Sequence, residues 1–267
     1  MPELPEVETI CRGLSSTVVD KKIKTVQIKN TDLRVKINQA DITNLTGMTV
    51  RSIYRRAKWP SLVFDTGYLW LHLGMTGQLI YTSKPVPSER HIHVVLEFED
   101  GTYLYYRDPR KFGAILWTTT NIPPTKTLGI EPLSQNLTIA TIKPLLATKK
   151  KDIKTVLLDG NIIAGIGNIY ASEILFASKI NPYLSAKKLS DDQIKELIKH
   201  IQLILEQAIQ LGGSSISDYR SISGTEGNAQ SMHQVYNKTI CPTCQNRLNA
   251  DLQNGRTTYW CNICQQN

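Results

Sequence analysis

Leu4, Val7, Ile10, Cys11 and Leu14 recur at intervals of three and four, which predicts a short amphipathic helix over about 4–15. Glu3 and Glu6 stand three apart at its opening, on one face, whereas Glu8 points elsewhere. From about 23 to 117 the pattern changes to short alternating runs rich in Val, Ile, Tyr and Leu, at 24–29, 49–55, 61–65, 68–73, 78–81, 93–99 and 102–107. With Asp100-Gly101 marking a hairpin between the last two, their spacing predicts a β-sandwich or barrel. Residues 119–134, with Pro123, Pro124 and Pro132, read as a linker. Beyond it the chain turns helical. The clearest element is 191–211, where Ile194, Leu197, Ile198, Ile201, Ile204, Leu205, Ala208 and Ile209 form a wide apolar stripe. Ser190 and Gln193 make a capping-box signature before it and Gly212-Gly213 end it. A second helix is expected after Gly165-Ile166-Gly167-Asn168, and 214–233, with little periodicity, reads as a mobile loop.

At 267 residues with 41% apolar side chains, the chain can fill two cores of ordinary size. No apolar run reaches the length of a membrane span, and the N-terminus opens on acidic residues, so no membrane is expected and a cytoplasmic location is. Lys and Arg outnumber Asp and Glu by 31 to 23, giving +8 and a pI near 9.2, a balance that favours a polyanionic partner. Lys149, Lys150 and Lys151 make a small basic run, which reads as a solvated face.

The cysteines narrow the picture further. Cys241, Cys244, Cys261 and Cys264 form two C-x2-C pairs separated by sixteen residues, the spacing of a four-thiolate zinc site. Without a secretory signal, two disulfides are disfavoured. Between the pairs, Asn254-Gly255 signals a type I′ turn, and Arg256 with Thr257, Thr258, Tyr259 and Trp260 follows, so the segment reads as a β-hairpin pinned to one structural Zn2+. Cys11 stands apart as a core residue.

Removal of Met1 would leave Pro2 as a free secondary amine. An α-amino group has a pKa of about 7.7–8.0 against about 10.4 for lysine, so far more of it is unprotonated at neutral pH. Such an amine can attack a sugar C1′ and rearrange to an iminium ion, while Glu3 and Glu6 beside it supply general acid and base. The bland alternative is that Pro2 and Pro5 merely start a helix whose dipole the carboxylates complement.

The whole chain resembles the formamidopyrimidine-DNA glycosylase family of bifunctional base-excision enzymes. The resemblance rests on Pro2-Glu3-Leu4-Pro5-Glu6-Val7-Glu8, Lys58 after Arg55-Arg56-Ala57, His72-Leu73-Gly74-Met75-Thr76-Gly77, Asp108-Pro109-Arg110-Lys111-Phe112-Gly113, Leu128-Gly129-Ile130-Glu131-Pro132-Leu133, Gly165 to Glu173, and the zinc hairpin with Gly255-Arg256. It implies an α+β multidomain fold: an N-terminal β-sandwich with a leading helix over 1–118, the linker 119–134, a helix-two-turn-helix domain with a lesion-capping loop over 135–234, and a zinc finger over 235–267. It implies Pro2 as the nucleophile, Glu3 as the proton shuttle, Lys58 as a further catalytic residue, and Glu6 orienting the lesion and sugar. Lys58, Asn168 and Arg256 would hold phosphates of damaged double-stranded DNA. Met75, Arg110 and Phe112 would fill the gap left by an extruded base. His91, His93, Lys154 and Tyr170 complete the implied DNA contacts, on a protein expected to act as a monomer.

The sequence departs from the family pattern in three places. Asn228 stands where an aromatic residue is usual, the connection from Tyr236 to Cys241 is short, and Trp59-Pro60 follows Lys58, where Pro60 predicts a sheet edge or a bulge. Two other readings compete: an endonuclease VIII-like glycosylase for oxidised pyrimidines, opposed by Leu4 and the Asp108–Gly113 motif, and a non-catalytic zinc-ribbon DNA-binding protein, opposed by intact Pro2, Glu3 and Glu6.

Overall fold

A computed structural model describes residues 2–125, 127–214 and 227–266, divided between two compact units. The first comprises Met1–Lys126 and Leu211–Gln230. It opens with α1 (Leu4–Thr17) and contains β1 (Ile23–Ile28), α2 (Gln39–Thr43), β2 (Ser52–Arg56), β3 (Trp59–Phe64), β4 (Gly67–His72), β5 (Gln78–Thr82), β6 (Ile92–Phe98), β7 (Tyr103–Arg107) and β8 (Ala114–Thr118). Two antiparallel four-stranded sheets, β1-β6-β7-β5 and β2-β3-β4-β8, resolve the choice between sandwich and barrel in favour of the sandwich. Their alternating inward residues, Leu62, Leu69, Leu71 and Ile115 from one sheet and Leu79, Val94, Leu96, Leu104 and Tyr106 from the other, share one core. The apolar stripe of α1 adds Ile10 and Leu14 to it. Cys11 is buried as expected, its thiol pushed up to about 12 by desolvation.

The predicted strands appear within a few residues of their expected bounds. β8 was not among them because Ala114-Ile115-Leu116-Trp117 is a continuous apolar run without alternation. α2 is five residues long, too short to show a period, and is marked only by its cap, where Asn38 accepts the Ala40 amide. Pro60 makes no bulge. β3 is an interior strand, but its pairing with β4 begins at Ser61, so Pro60 lies beyond that ladder, where a missing N–H costs nothing.

The second unit comprises Thr127–Gln210 and Ser231–Asn267. It holds α3 (Ile139–Ala147), α4 (Ile153–Leu157), α5 (Asn168–Ala177), α6 (Asp191–Gln210) and the hairpin β9 (Asn249–Gln253) and β10 (Arg256–Trp260). α5 is buried from Ile169 through Phe176 and contacts α4, α6 and β10, as a helix apolar on nearly all sides must. The predicted cap of α6 forms: the Ser190 amide donates to Gln193 Oε1 at 3.0 Å and the Gln193 amide to Ser190 Oγ at 3.2 Å. Asn254 and Gly255 both have positive φ, 50° and 77°, as a type I′ hairpin turn requires. Residues 211–214 and 227–230 group with the sandwich, and the β9–β10 hairpin groups with the helices. The expected lesion-capping loop falls largely on 215–226, outside the described residues.

Candidate active site

Pro2 is half-buried immediately ahead of α1. Glu3 is the N-cap, with extended backbone, and Glu6 occupies the third helical position, so the two form a reciprocal capping box. The Glu3 amide donates to Glu6 Oε2 at 2.8 Å. The other oxygen of Glu6, Oε1, accepts the amide of Ser214 at 2.8 Å. Gly213 makes this approach possible: its φ is +76°, and a Cβ there would stand 3.0 Å from Glu6 Cγ. Both carboxylates are buried, Glu3 at 4% exposure and Glu6 at 2%. Glu8 turns away, as expected, to Arg55 at 2.7 Å and Arg12 at 3.2 Å. Burial raises its pKa, but those two guanidinium partners more than offset this and hold it below the usual carboxylate value.

Met75 and Phe112 are 38% and 44% exposed, so neither fills the core. Met75 lies on the connection from β4 to β5, and Arg110 and Phe112 on that from β7 to β8. The Arg110 guanidinium lies over the Phe112 ring, 4.8 Å from its centroid. Buried Asp108 joins the two connections. Its Oδ1 accepts Thr76 Oγ1 at 2.6 Å, and its Oδ2 accepts the Gly113 amide at 2.8 Å. Thr76 Oγ1 in turn accepts the Arg110 amide at 3.2 Å. The loops also touch directly, since a Cβ on Gly74 (φ +56°) would lie 2.5 Å from the Phe112 carbonyl carbon.

His72 sets the angle of the Met75 loop, accepting the Gly74 amide on Nδ1 at 3.1 Å while its ring packs on Trp59. Acceptance requires a neutral ring. Desolvation, with the charges of Lys58 and Arg34, lowers the His72 pKa to about 4. An imidazole near 6.5 when unfolded and about 4 when folded gives stability that is complete above pH 6.5 and lost as pH falls toward 4. That shift corresponds to about 3 kcal/mol. Denaturant unfolding at pH 7 and pH 4 should show this loss in the parent protein and a smaller one in His72→Gln. His233, also lowered to about 4, keeps its own share.

Lys58 sits with Ala57 in the two-residue connection of β2 to β3, a turn made possible by Ala57 at φ 53°. Asn168 is the first residue of α5 rather than its cap, which is Gly167. Its Nδ2 donates to the Thr257 carbonyl of β10 at 2.9 Å, which brings it beside exposed Arg256. Lys154 is 1% exposed, and its Nζ donates to Thr258 Oγ1 at 2.7 Å and the Thr257 carbonyl at 3.2 Å. Asn168, Lys154 and Arg256 thus meet around one stretch of the hairpin. Three residues expected as DNA contacts, Lys154, Tyr170 and His93, are buried. Lys154 braces the hairpin, Tyr170 is fully buried in α5 edge-on to His233, and His93 is fully buried with Nε2 3.0 Å from the Asp108 carbonyl. His91 remains half-buried at the start of β6.

The four cysteine sulfurs lie within 4.8 Å of one another. Cys241 and Cys264 are 3.8 Å apart and Cys244 and Cys261 3.5 Å, far beyond a disulfide bond. A tetrahedron with Zn–S bonds of about 2.3 Å has edges of about 3.8 Å, so the cluster has the right size for a single zinc ion. Backbone amides of Asn246 and of Ile263 and Cys264 donate to Cys244 and Cys261, support suited to thiolates.

Two buried groups have no counterpart among the expected site residues. Glu173 on α5 accepts three successive amides, Gln234 at 2.8 Å, Val235 at 3.0 Å and Tyr236 at 2.7 Å, and so anchors the chain entering the cysteine cluster. Burial raises its pKa despite those bonds. Gln265 joins the Cys261 amide to the Ile180 carbonyl. Glu173 ends the Gly165–Glu173 segment, where nothing in the sequence marks it as buried, and for Gln265 the sequence holds no signal.

The chain matches the model of the formamidopyrimidine-DNA glycosylase N-terminal domain over residues 1–115 and that of the formamidopyrimidine-DNA glycosylase H2TH domain over 128–220. It is 39% identical over 270 residues to the formamidopyrimidine-DNA glycosylase of Wolbachia sp. subsp. Drosophila simulans (strain wRi), covering 99% of this chain and all of that one. It is 40% identical over 271 residues to that of Bdellovibrio bacteriovorus (strain ATCC 15356 / DSM 50701 / NCIMB 9529 / HD100), with both chains covered in full. Among solved structures, the Lactococcus lactis Fpg in complex with an abasic site containing DNA superposes with a TM-score of 0.91 at 34% identity, over 99% of this chain and 100% of that one. The same protein with N7-Benzyl-Fapy-dG containing DNA matches at 0.91 and 35%, over both chains in full. No helix among the described residues is long and apolar enough to cross a membrane. With matching domain models over most of its length and relatives of this identity along all of it, the chain belongs to the formamidopyrimidine-DNA glycosylase family.

Proposed function

We propose that this chain is a bifunctional DNA glycosylase and AP lyase that removes oxidised purines, 8-oxoguanine and formamidopyrimidines, from duplex DNA. The observation that carries the reading is the start of α1, where Pro2 adjoins two buried carboxylates and Glu6 is fixed by amides on both oxygens. With Met1 removed, the Pro2 nitrogen attacks C1′ of the damaged nucleotide and the bond from C1′ to the base breaks. Glu3 protonates the ring oxygen, and the opened sugar becomes an iminium ion on Pro2. Loss of a C2′ proton then expels the 3′ phosphate, a second elimination expels the 5′ phosphate, and water releases the sugar remnant from Pro2. Glu6, already committed to two amides, orients rather than shuttles.

Lys58, Asn168 and Arg256 hold phosphates, Arg256 through its planar fork. Met75 and Phe112 fill the space of the extruded base and Arg110 pairs with the widowed cytosine, a reading supported by their exposure and by the Asp108–Thr76 link between their loops. Cys241, Cys244, Cys261 and Cys264 hold one Zn2+ whose role is structural, since four thiolates leave no open position. The test is borohydride trapping on duplexes carrying 8-oxoguanine or thymine glycol. An adduct at Pro2 on 8-oxoguanine is expected. An adduct on thymine glycol alone moves the chain to the pyrimidine branch, and none on either sinks the enzymatic reading.

A further inference from the structure

The run Lys149-Lys150-Lys151 joins α3 to α4 and is held by the segment after Asn181. Ser185 Oγ donates to the Lys150 carbonyl at 2.9 Å, the Ala186 amide to that of Lys151 at 3.0 Å, and the Lys187 amide to that of Lys149 at 3.2 Å. This pairing brings Lys187 and Lys188 alongside the first three. The same run lines a groove of about 560 Å³ whose other side is the hairpin tip, Asn254 and Arg256. Asn254 Nδ2 donates to Thr155 Oγ1 at 2.7 Å, fixing that tip against α4.

Several cations elsewhere are paired, whereas here unpaired ones lie together. Lys22, Lys24, Arg51, Arg107 and Lys143 each pair with a carboxylate. Lys149, Lys150, Lys151, Lys187, Lys188 and Arg256 make no ion pair with any described residue, and Asp159 on the groove wall accepts the Asn161 amide. These cations outnumber the one carboxylate that lines the groove, Asp159, and repel one another, and a polyanion relieves that repulsion. Ammonium groups in a row suit a chain of phosphates better than a single small anion, and Arg256 at the groove's end gives that chain its starting point.

We propose that the groove of Lys149, Lys150 and Lys151 continues the phosphate track from Arg256 and holds the backbone of duplex DNA flanking the lesion on one side only. This rests on the assignment of Arg256 to a phosphate of the damaged strand. The experiment compares the parent protein with the triple variant Lys149→Gln, Lys150→Gln, Lys151→Gln on two duplexes. Both carry a non-cleavable abasic analogue, one with its long arm 5′ of the lesion and the other with it 3′. Affinity is measured from about 50 to 200 mM salt, where each phosphate contact adds about 0.9 to the log–log slope. The slope should fall by about 2–3 on one duplex and stay unchanged on the other, and a triple Arg variant should restore it. Equal slopes for parent and variant on both duplexes overturn the proposal, as does an equal fall on both, which marks diffuse charge. If the parent binds neither duplex, the Arg256 assignment and the groove fall together. If the parent binds with these slopes but gives no borohydride adduct on lesion DNA, only the chemistry proposed for Pro2 fails.

Discussion

A chain that keeps Met1 ahead of Pro2 is expected to form no borohydride-trapped adduct with lesion DNA while still binding it. The reason is local. In that chain the Pro2 nitrogen belongs to an amide, its lone pair is delocalised into the carbonyl, and it can neither attack C1′ nor become an iminium ion. The carboxylates and loops are untouched, since Glu3 and Glu6 owe their geometry to α1 and Ser214. The check is mass spectrometry of the N-terminus alongside trapping and binding on one preparation. Loss of the adduct to background with preserved affinity is the expected result. Glu3→Gln, with Pro2 free, should instead slow turnover by about 10²–10⁴, the usual contribution of a positioned acid–base group. An adduct from the Met1-bearing chain would transfer the nucleophile to a lysine.

Removal of zinc should weaken binding to lesion DNA by about 10²–10⁴. Structural zinc sites contribute about 10–16 kcal/mol to the folding of small metal domains, so the hairpin does not survive without the ion. With it go the Thr257 carbonyl that holds Asn168 and the Thr257 and Thr258 oxygens that hold Lys154, while Arg256 loses its fixed position. Two phosphate contacts at about 1.5–3 kcal/mol each, with about 1.4 kcal/mol per decade of affinity, give the stated range. Zinc release followed with a chromogenic chelator, against affinity for an abasic duplex, tests this. Apo-protein binding as tightly as holo-protein would leave the cysteines without the role given them here.

Elements with a local signature could be read from the sequence: the stripe of α6 with its Ser190 and Gln193 cap, the Asn254-Gly255 turn, and the paired cysteines. What could not be read depends on partners distant in the chain. Lys154 has the composition of a surface cation, and only the oxygens of Thr257 and Thr258, more than a hundred residues on, make it a buried brace. His93 shares a motif with His91, yet strand alternation turns it inward onto Asp108. Asp108 and Thr76 were visible in the motifs that carry Arg110 and Met75, but their link across 32 positions was not. The return of residues 211–214 to α1 had no sequence signal beyond Gly212-Gly213, which read as the end of a helix.

That return bears on the order of events during synthesis. Glu6 emerges among the first residues from the ribosome, but the Ser214 amide that its Oε1 accepts follows 208 positions later. A nascent chain long enough to close the sandwich therefore holds Glu6 without the Ser214 amide. The site proposed for strand cleavage is thus finished only when most of the chain exists, so prematurely terminated products should show little of that activity.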